Sequence, residues 1–202
     1  MANFKIILPG HPLRRATEKL VKSVYATQYG ANISTFPDLL VALVNADGKP
    51  YCAAGLRVGL RDCFSETYLD DTIQNVISNS IREQVCRENI LEVANLASVR
   101  MGASFVLMRE IIAYGRERGI RFCVFTATQR LRRVLKATRI PLLEMSRADK
   151  SRVSNPDDWG SYYESNPWVC ALDDTFLQHA KCRLSVANDR SQPHTEPQLL
   201  VA

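Results

Sequence analysis

The sequence predicts a mixed α/β fold, a mostly antiparallel sheet flanked by helices, and three observations predict it. Ile90 to Thr128, ILEVANLASVRMGASFVLMREIIAYGRERGIRFCVFTAT, reads as strand, turn, amphipathic helix and strand, a βαβ unit. Upstream, Leu39-Leu40-Val41-Ala42-Leu43-Val44 and Tyr51-Cys52-Ala53-Ala54-Gly55-Leu56-Arg57-Val58 flank Asn45-Ala46-Asp47-Gly48, the chemistry of an antiparallel hairpin. The turn SVRMGAS does not supply the GxGxxG spacing, which excludes a doubly wound dinucleotide fold.

Each element has its own signal. Phe4 to Leu8 is a short apolar strand closed by Pro9-Gly10. A helix from about Leu13 to Gln28 carries Ala16, Leu20, Val21, Val24 and Tyr25 on one face, and Gly30 stops it. After the loop of residues 31–37, where Phe36 reads as a packing residue, comes the hairpin. A second helix is expected from about Asp71 to Cys86, with Ile73, Val76, Ile77 and Ile81 as its stripe. Ile90 to Ala97 is short and apolar enough for a strand buried on both faces, as in a parallel sheet. The helix after it ends in Arg116, Arg118 and Gly119, and Phe122-Cys123-Val124-Phe125 is the next strand. Gln129 to Arg139 is a basic helix, Pro141 to Met145 a short strand, and Trp168 to Leu172 the last strand. A short helix is expected near Thr175 to Leu184. Residues 1–184 are read as one domain and 185–202 as a flexible tail.

The chain has 202 residues, 46% hydrophobic and 23% charged, the balance of a folded soluble protein. No apolar run approaches the roughly 20 residues that span a bilayer, and the N-terminal stretch lacks the pattern of a signal peptide. The expectation is a cytoplasmic protein without stable membrane insertion. The six cysteines are widely spaced and form no CxxC pair, which argues against a zinc site or a disulfide framework. Cys123 reads as a small core residue. The net charge of +5 suits an acidic partner, but basic and aromatic residues do not interleave as nucleic-acid binding requires.

The chemistry concentrates in the βαβ unit. Glu92 is a carboxylate inside an apolar strand, where burial is costly unless the group is paired or functional. It is a candidate general base for an amine, with an ion pair to Arg57 as the structural alternative. Asn95 either hydrogen-bonds a substrate carbonyl or mends a strand bulge. Ala97, Ser98, Val99, Arg100, Gly102, Ala103 and Ser104 combine small residues with the start of a helix, where unpaired N–H groups and the dipole favour an anion. Arg130, Arg132, Arg133 and Lys136 form either a solvated face or a docking site for an acidic partner. Trp159, Tyr162 and Tyr163, around Gly160-Ser161, either wall a substrate pocket or pack over the sheet.

Two resemblances extend this reading. Tyr29-Gly30-Ala31, Pro37-Asp38-Leu39-Leu40, Gly55-Leu56-Arg57, Glu66-Thr67-Tyr68-Leu69-Asp70, Glu92-Val93-Ala94-Asn95-Leu96-Ala97, Phe125-Thr126-Ala127-Thr128 and Trp159-Gly160-Ser161-Tyr162-Tyr163 resemble, in order, the thermostable hemolysin family. The family usually reads EVGNLA where this chain has EVANLA. More broadly, the chain is similar to the GCN5-related N-acetyltransferase (GNAT) fold, and to acyl-homoserine-lactone synthases within it. That likeness implies a GNAT-like acyltransferase with an acyl-CoA or acyl-phosphopantetheine thioester held at residues 97–104. Glu92 and Asn95 would be catalytic, and Arg57, Thr126, Trp159, Tyr162 and Tyr163 would bind a small-molecule amine acceptor. An acidic acyl carrier protein would dock on Arg130, Arg132, Arg133 and Lys136. No metal is implied. The rival expectations are a membrane-active hemolysin and a non-catalytic acyl-carrier binding module.

Overall fold

The computed structural model describes residues 3–59, 63–137 and 140–175. Among them, β1 (Asn3–Ile7), β2 (Leu39–Val44), β3 (Pro50–Val58), β4 (Ile90–Ser98), β5 (Phe122–Ala127), β6 (Leu143–Arg147) and β7 (Trp168–Asp173) form one sheet, in the order β1-β2-β3-β4-β5-β7-β6. The pair β4–β5 is parallel and the other neighbours are antiparallel. Four helices accompany it: α1 (Arg14–Tyr29), α2 (Ile73–Ile81), α3 (Ala103–Arg116) and α4 (Gln129–Ala137). The mixed, mostly antiparallel sheet and the order of elements are those the sequence predicts. β4 differs in one respect, because its other neighbour, β3, runs antiparallel to it.

The second helix is shorter than the expected span of about Asp71 to Cys86. It stops at Ile81 because Arg82 adopts a left-handed conformation (φ 57). The chain then folds back, with the Val85 N–H donating 2.9 Å to Ser78 Oγ, so that Val85 is buried without remaining helical. The expected helix near Thr175 to Leu184 lies, past Thr175, outside the described residues, as does the expected tail.

Helices cover both faces of the sheet. On one, Leu107 and Ile111 of α3 and Leu131 and Leu135 of α4 pack against Val93, Leu96, Phe125 and Leu172. On the other, Val21, Val24 and Tyr25 of α1 meet Leu40, Ala42, Ala53 and Ala97. Beside α1, Ile73 and Ile77 of α2 meet Ile90, Phe122, Val124 and Val169. Side chains alternate along a strand, so Glu92 shares the face of Ile90, on the α1/α2 side.

Two local features open the middle of this sheet. β4 and β5 pair from Ile90↔Phe122 to Val93↔Phe125 and no further, although both strands continue. At the same level the β3–β4 register shifts between Ala53 and Gly55, and Asn95 takes a left-handed conformation (φ 55). This is a β-bulge, whose extra residue bends the strand. Asparagine tolerates the left-handed region better than most residues, which accounts for Asn95 there. The bend draws β4 away from β5 and leaves a gap through the sheet.

Candidate functional site

A cavity of about 410 Å³ fills that gap and reaches both faces of the sheet. Its volume lies in the range of small-molecule sites. On the α1/α2 side Tyr25, Phe64, Ser65, Tyr68, Glu92, Trp159 and Tyr162 line it. Val93, Ala94, Asn95, Leu96 and Thr126 form the waist. On the α3/α4 side the walls are apolar, from Phe105, Met108 and Ile112 of α3, Leu131 and Leu135 of α4, and Phe125, Ile140 and Leu172. Arg116 stands at that end, holding Asp174 through Nε–Oδ2 at 2.7 Å.

Glu92 is 1% exposed and fully engaged. Its Oε2 accepts from Arg57 Nη1 (2.9 Å) and the Phe64 N–H (3.0 Å). Its Oε1 accepts from the Ser65 N–H (2.7 Å) and the Ser65 hydroxyl (2.6 Å). An ionised carboxylate has about four lone-pair sites, and here four donors occupy them. The ion pair with Arg57, which faces Glu92 across β3–β4, is therefore present. Of the four donors, the Ser65 hydroxyl alone can swing away without moving backbone or breaking a charge pair.

The short 3₁₀ turn Phe64–Tyr68 supplies three of these donors, and its neighbours hold it in place. Glu66 accepts from both Arg87 Nη1 and Nη2 at 2.7 Å and from the Ile73 N–H at the start of α2 (2.8 Å). Partial burial works against ionisation of Glu66, but the Arg87 and Ile73 hydrogen bonds outweigh it and hold the carboxyl below its usual range. Arg152 bonds the Thr67 and Leu69 carbonyls and the Asp70 carboxylate. The run Glu66-Thr67-Tyr68-Leu69-Asp70 is thus the framework that presents Phe64 and Ser65 to Glu92.

The aromatic wall comes from three distant segments. The Trp159 and Phe64 rings stack at 5.6 Å between centroids, and Tyr162 lies 5.4 Å from Trp159. The backbone that carries them is locked to the end of α1: the Ser161 N–H donates 2.8 Å to the Tyr29 carbonyl. At Gly160 (φ 51) a Cβ would lie 2.0 Å from that same oxygen, so no side chain fits. Burial drives the Tyr162 hydroxyl far above its ordinary range, with the neighbouring tyrosines adding to the effect, and it stays neutral.

The structure sorts the sequence-derived candidates. Glu92, Asn95, Thr126, Trp159, Tyr162 and Ser104 line one cavity. Arg57 and Tyr163 stand behind it, Arg57 on Glu92 and Tyr163 with its hydroxyl 2.8 Å from that of Tyr68. Asn95 occupies the bulge, and its Nδ2 reaches the Thr35 carbonyl at 3.4 Å. In the turn, Ala97, Ser98 and Ala103 are buried. The Ser98 hydroxyl accepts from the Arg100 N–H (3.1 Å) and donates to the Arg100 carbonyl (2.7 Å). The Ala103 N–H bonds the Arg100 carbonyl and the Phe105 N–H the Gly102 carbonyl, so several of the turn's donors are already used. Val99 and Arg100 are exposed, with the Arg100 guanidinium 4.3 Å from the Tyr51 ring centroid. Gly102 caps α3 in a left-handed conformation.

The basic helix α4 is not the uniformly solvated face that its composition suggests. Arg132 is 9% exposed and bonds Glu144 (2.9 Å) and the Asn166 carbonyl (3.0 Å), which removes it from any docking surface. Lys136 is exposed but also holds Glu144, at 2.9 Å. Arg130 and Arg133 face outward. Sequence reasoning missed Phe64 and Ser65, whose neighbourhood was flagged only by the Glu66–Asp70 run. Burial pushes the Cys52 thiol up to about 11 and those of Cys123 and Cys170 up to about 12, consistent with core cysteines.

Comparison with known proteins bears on the fold and the family. The sequence profile described as "Thermostable hemolysin" matches residues 7–176. No sequence among curated proteins matches the chain. Among solved structures, the acyl-homoserine-lactone synthase LasI superposes with a TM-score of 0.55 at 12% identity, covering 86% of this chain and 91% of its own. FeeM, an N-acyl amino acid synthase from uncultured soil microbes, gives 0.54 at 15%, covering 85% and 90%. BjaI, a CoA-dependent acyl-homoserine lactone synthase solved with SAM and isopentyl-CoA, gives 0.56 at 12%, covering 86% and 83%. At such identities the likeness establishes a shared acyltransferase-like fold.

Proposed function

This chain belongs to the thermostable hemolysin family, and from that premise we propose that it is an N-acyltransferase acting on an acyl thioester and an amine. The observation that carries the reading is the cavity through the β4–β5 gap, with a buried carboxylate on one side and an apolar channel on the other. Such a passage lets an acyl chain and an acceptor approach one carbonyl carbon from opposite faces. The fold shared with LasI, FeeM and BjaI supports it.

In this reading the acyl chain lies between α3 and α4, along Met108, Ile112, Leu131 and Leu135. Burial of a methylene there is worth about 0.8 kcal/mol, so a longer chain binds more tightly until the channel ends near Arg116. The thioester carbonyl sits at the waist, where β4 beyond Val93 has no partner in β5 and can offer backbone N–H groups to the developing oxyanion. The amine nitrogen attacks the carbonyl carbon, the C–N bond forms and the C–S bond breaks. The proton lost by the amine passes to the Ser65 hydroxyl as that hydroxyl gives its own to Glu92 Oε1, and the thiolate departs to be protonated as free thiol. Asn95 shapes the waist through the bulge. The donor is acyl-coenzyme A or an acyl carrier protein. Arg100, Arg130 and Arg133, exposed in the turn and on α4, would meet its phosphates or acidic surface. The enzyme is expected to work in the cytoplasm.

The test is release of free thiol from acyl-coenzyme A and acyl-carrier donors of graded chain length, with a panel of amines. Amine-dependent release that Glu92→Gln abolishes supports the reading. No release with any donor, or release indifferent to Glu92→Gln, overturns it.

The family's description motivates a second reading, membrane lysis. Among the described residues no helix is long and apolar enough to cross a membrane. Leakage from vesicles that survives Glu92→Gln would favour that reading. A donor that binds without turnover under any condition would favour a non-catalytic carrier-binding module.

A further inference from the structure

The α1/α2-side half of the cavity has a chemistry of its own. Its rings come from Tyr25, Phe64, Tyr68, Trp159 and Tyr162, and its one charged side chain among the described residues is Glu92. The nearest guanidinium, Arg57, lies behind the carboxylate and is bonded to it, so no described cation lines the chamber. The charged groups on α3 that touch the cavity are at its other end and already paired, Arg109 with Glu110 and Arg116 with Asp174. Tyr162 is 3% exposed and lines the cavity with its ring 5.4 Å from that of Trp159, while the Tyr68 hydroxyl is bonded to Tyr163.

Resting on the transferase reading, we infer that the acceptor is a primary monoamine on an apolar or aromatic body, without a carboxylate. Electron-rich ring faces attract an ammonium, most of all in a desolvated site. The Tyr162 oxygen can accept one of its N–H bonds. The Glu92 side of the chamber is the more negative one, and Ser65 stands between it and the bound ammonium to relay one proton to Glu92, which frees the nitrogen lone pair for attack; the second N–H proton, lost on acylation, leaves with the thiolate as free thiol. A carboxylate on the same acceptor would enter a chamber with no described cation to pair it, and burying an unpaired carboxylate is strongly unfavourable. An uncharged alcohol of the same shape would forgo the attraction to the rings. The chamber therefore selects against free amino acids and against alcohols.

The experiment measures binding rather than turnover. Isothermal titration of the full chain, without donor, compares phenethylamine, phenylalanine and phenethyl alcohol near neutral pH. Phenethylamine is expected to bind about tenfold more tightly than either of the others, the order of a desolvated cation–π interaction. Tyr162→Phe, which keeps the ring and removes the hydroxyl, is expected to weaken phenethylamine several-fold while leaving the alcohol less affected. Trp159→Leu, verified as folded by its melting curve, is expected to weaken it about tenfold. Phenylalanine binding as tightly as phenethylamine, or no binding by phenethylamine, overturns the inference. The two levels separate cleanly. Amine binding without thiol release leaves the acceptor class standing and removes the transferase reading. Thiol release with amino acids but not with monoamines does the reverse.

Discussion

The two halves of the cavity are built by opposite means. The channel between α3 and α4 is made from the apolar stripes of two helices that would exist in any fold with this element order. The chamber over Glu92 is made from single residues on a 3₁₀ turn, a loop and the end of α1, each fixed by a specific hydrogen bond. An apolar wall is non-directional and tolerates substitution of similar volume. A saturated buried carboxylate does not, because the loss of one donor leaves a charge unpaired. The channel should therefore tune which donor is used, and the chamber should decide whether reaction occurs.

Breaking the chamber should have the largest effect. Glu92→Gln removes the charge that faces Arg57 and two backbone N–H groups, and a broken buried pair costs about 3–5 kcal/mol. Urea unfolding should register that loss, and thiol release should fall by at least about 100-fold, the lower end of general-base effects. Ser65→Ala sharpens the point, since it keeps both charges. Its stability cost should be only about 1 kcal/mol, one hydrogen bond. A fall in rate as large as that of Glu92→Gln would then identify the hydroxyl as the relay.

Breaking the channel should look different. Ile112→Trp narrows the space between α3 and α4 and should lower kcat/KM for long-chain donors by about tenfold, roughly 1.4 kcal/mol, while short-chain donors and the acceptor KM stay unchanged. A uniform loss across chain lengths would mean that the acyl chain lies elsewhere.

Gly160→Ala tests the joint between the chamber and α1. A Cβ 2.0 Å from the Tyr29 carbonyl forces the loop outward, at about 2 kcal/mol in chemical unfolding, with weaker acceptor binding as a consequence.

The smallest effect should be a pH dependence away from both halves. Burial opposes ionisation of Asp173, but hydrogen bonds from Arg121 and Thr175 prevail and hold its carboxyl below the usual range. The stability it contributes is present above an unfolded value of about 3.9 and is lost as pH falls through the lower folded value. Asp173→Asn should therefore be less stable than the parent at pH 7, with the deficit closing below about pH 4 in urea titrations. A deficit independent of pH would assign the effect to packing.

Much of the frame was legible in the chain because it rests on local pattern. The alternation in Leu39 to Val58 and the turn Asn45 to Gly48 specify the hairpin, and the stripe of Phe105, Met108 and Ile112 specifies α3. Glu92 stood out because a carboxylate in an apolar strand calls for a partner, and Arg57 is that partner. Local pattern misled at two places. The helix expected to run to about Cys86 ends at Ile81, because Arg82 is left-handed. The four basic residues of α4 look alike in sequence, yet Arg132 turns inward to Glu144 because β6 lies beside it.

The sequence by itself determined the order of strands and helices, the apolar faces, the glycine stop after α1 and the singular position of Glu92, since each depends on residues within a few positions of one another. Only the tertiary structure decided that β4 bends at Asn95 and parts from β5, that Ser65 and Phe64 come within 3.0 Å of a carboxylate in a distant strand, and that Trp159 and Tyr162 close the chamber beside Tyr25. Those contacts join segments separated by about 27 to 95 positions or more, as in Ser65–Glu92 and Tyr68–Tyr163. Pairings at that range are fixed by sheet register and packing, which no local periodicity encodes.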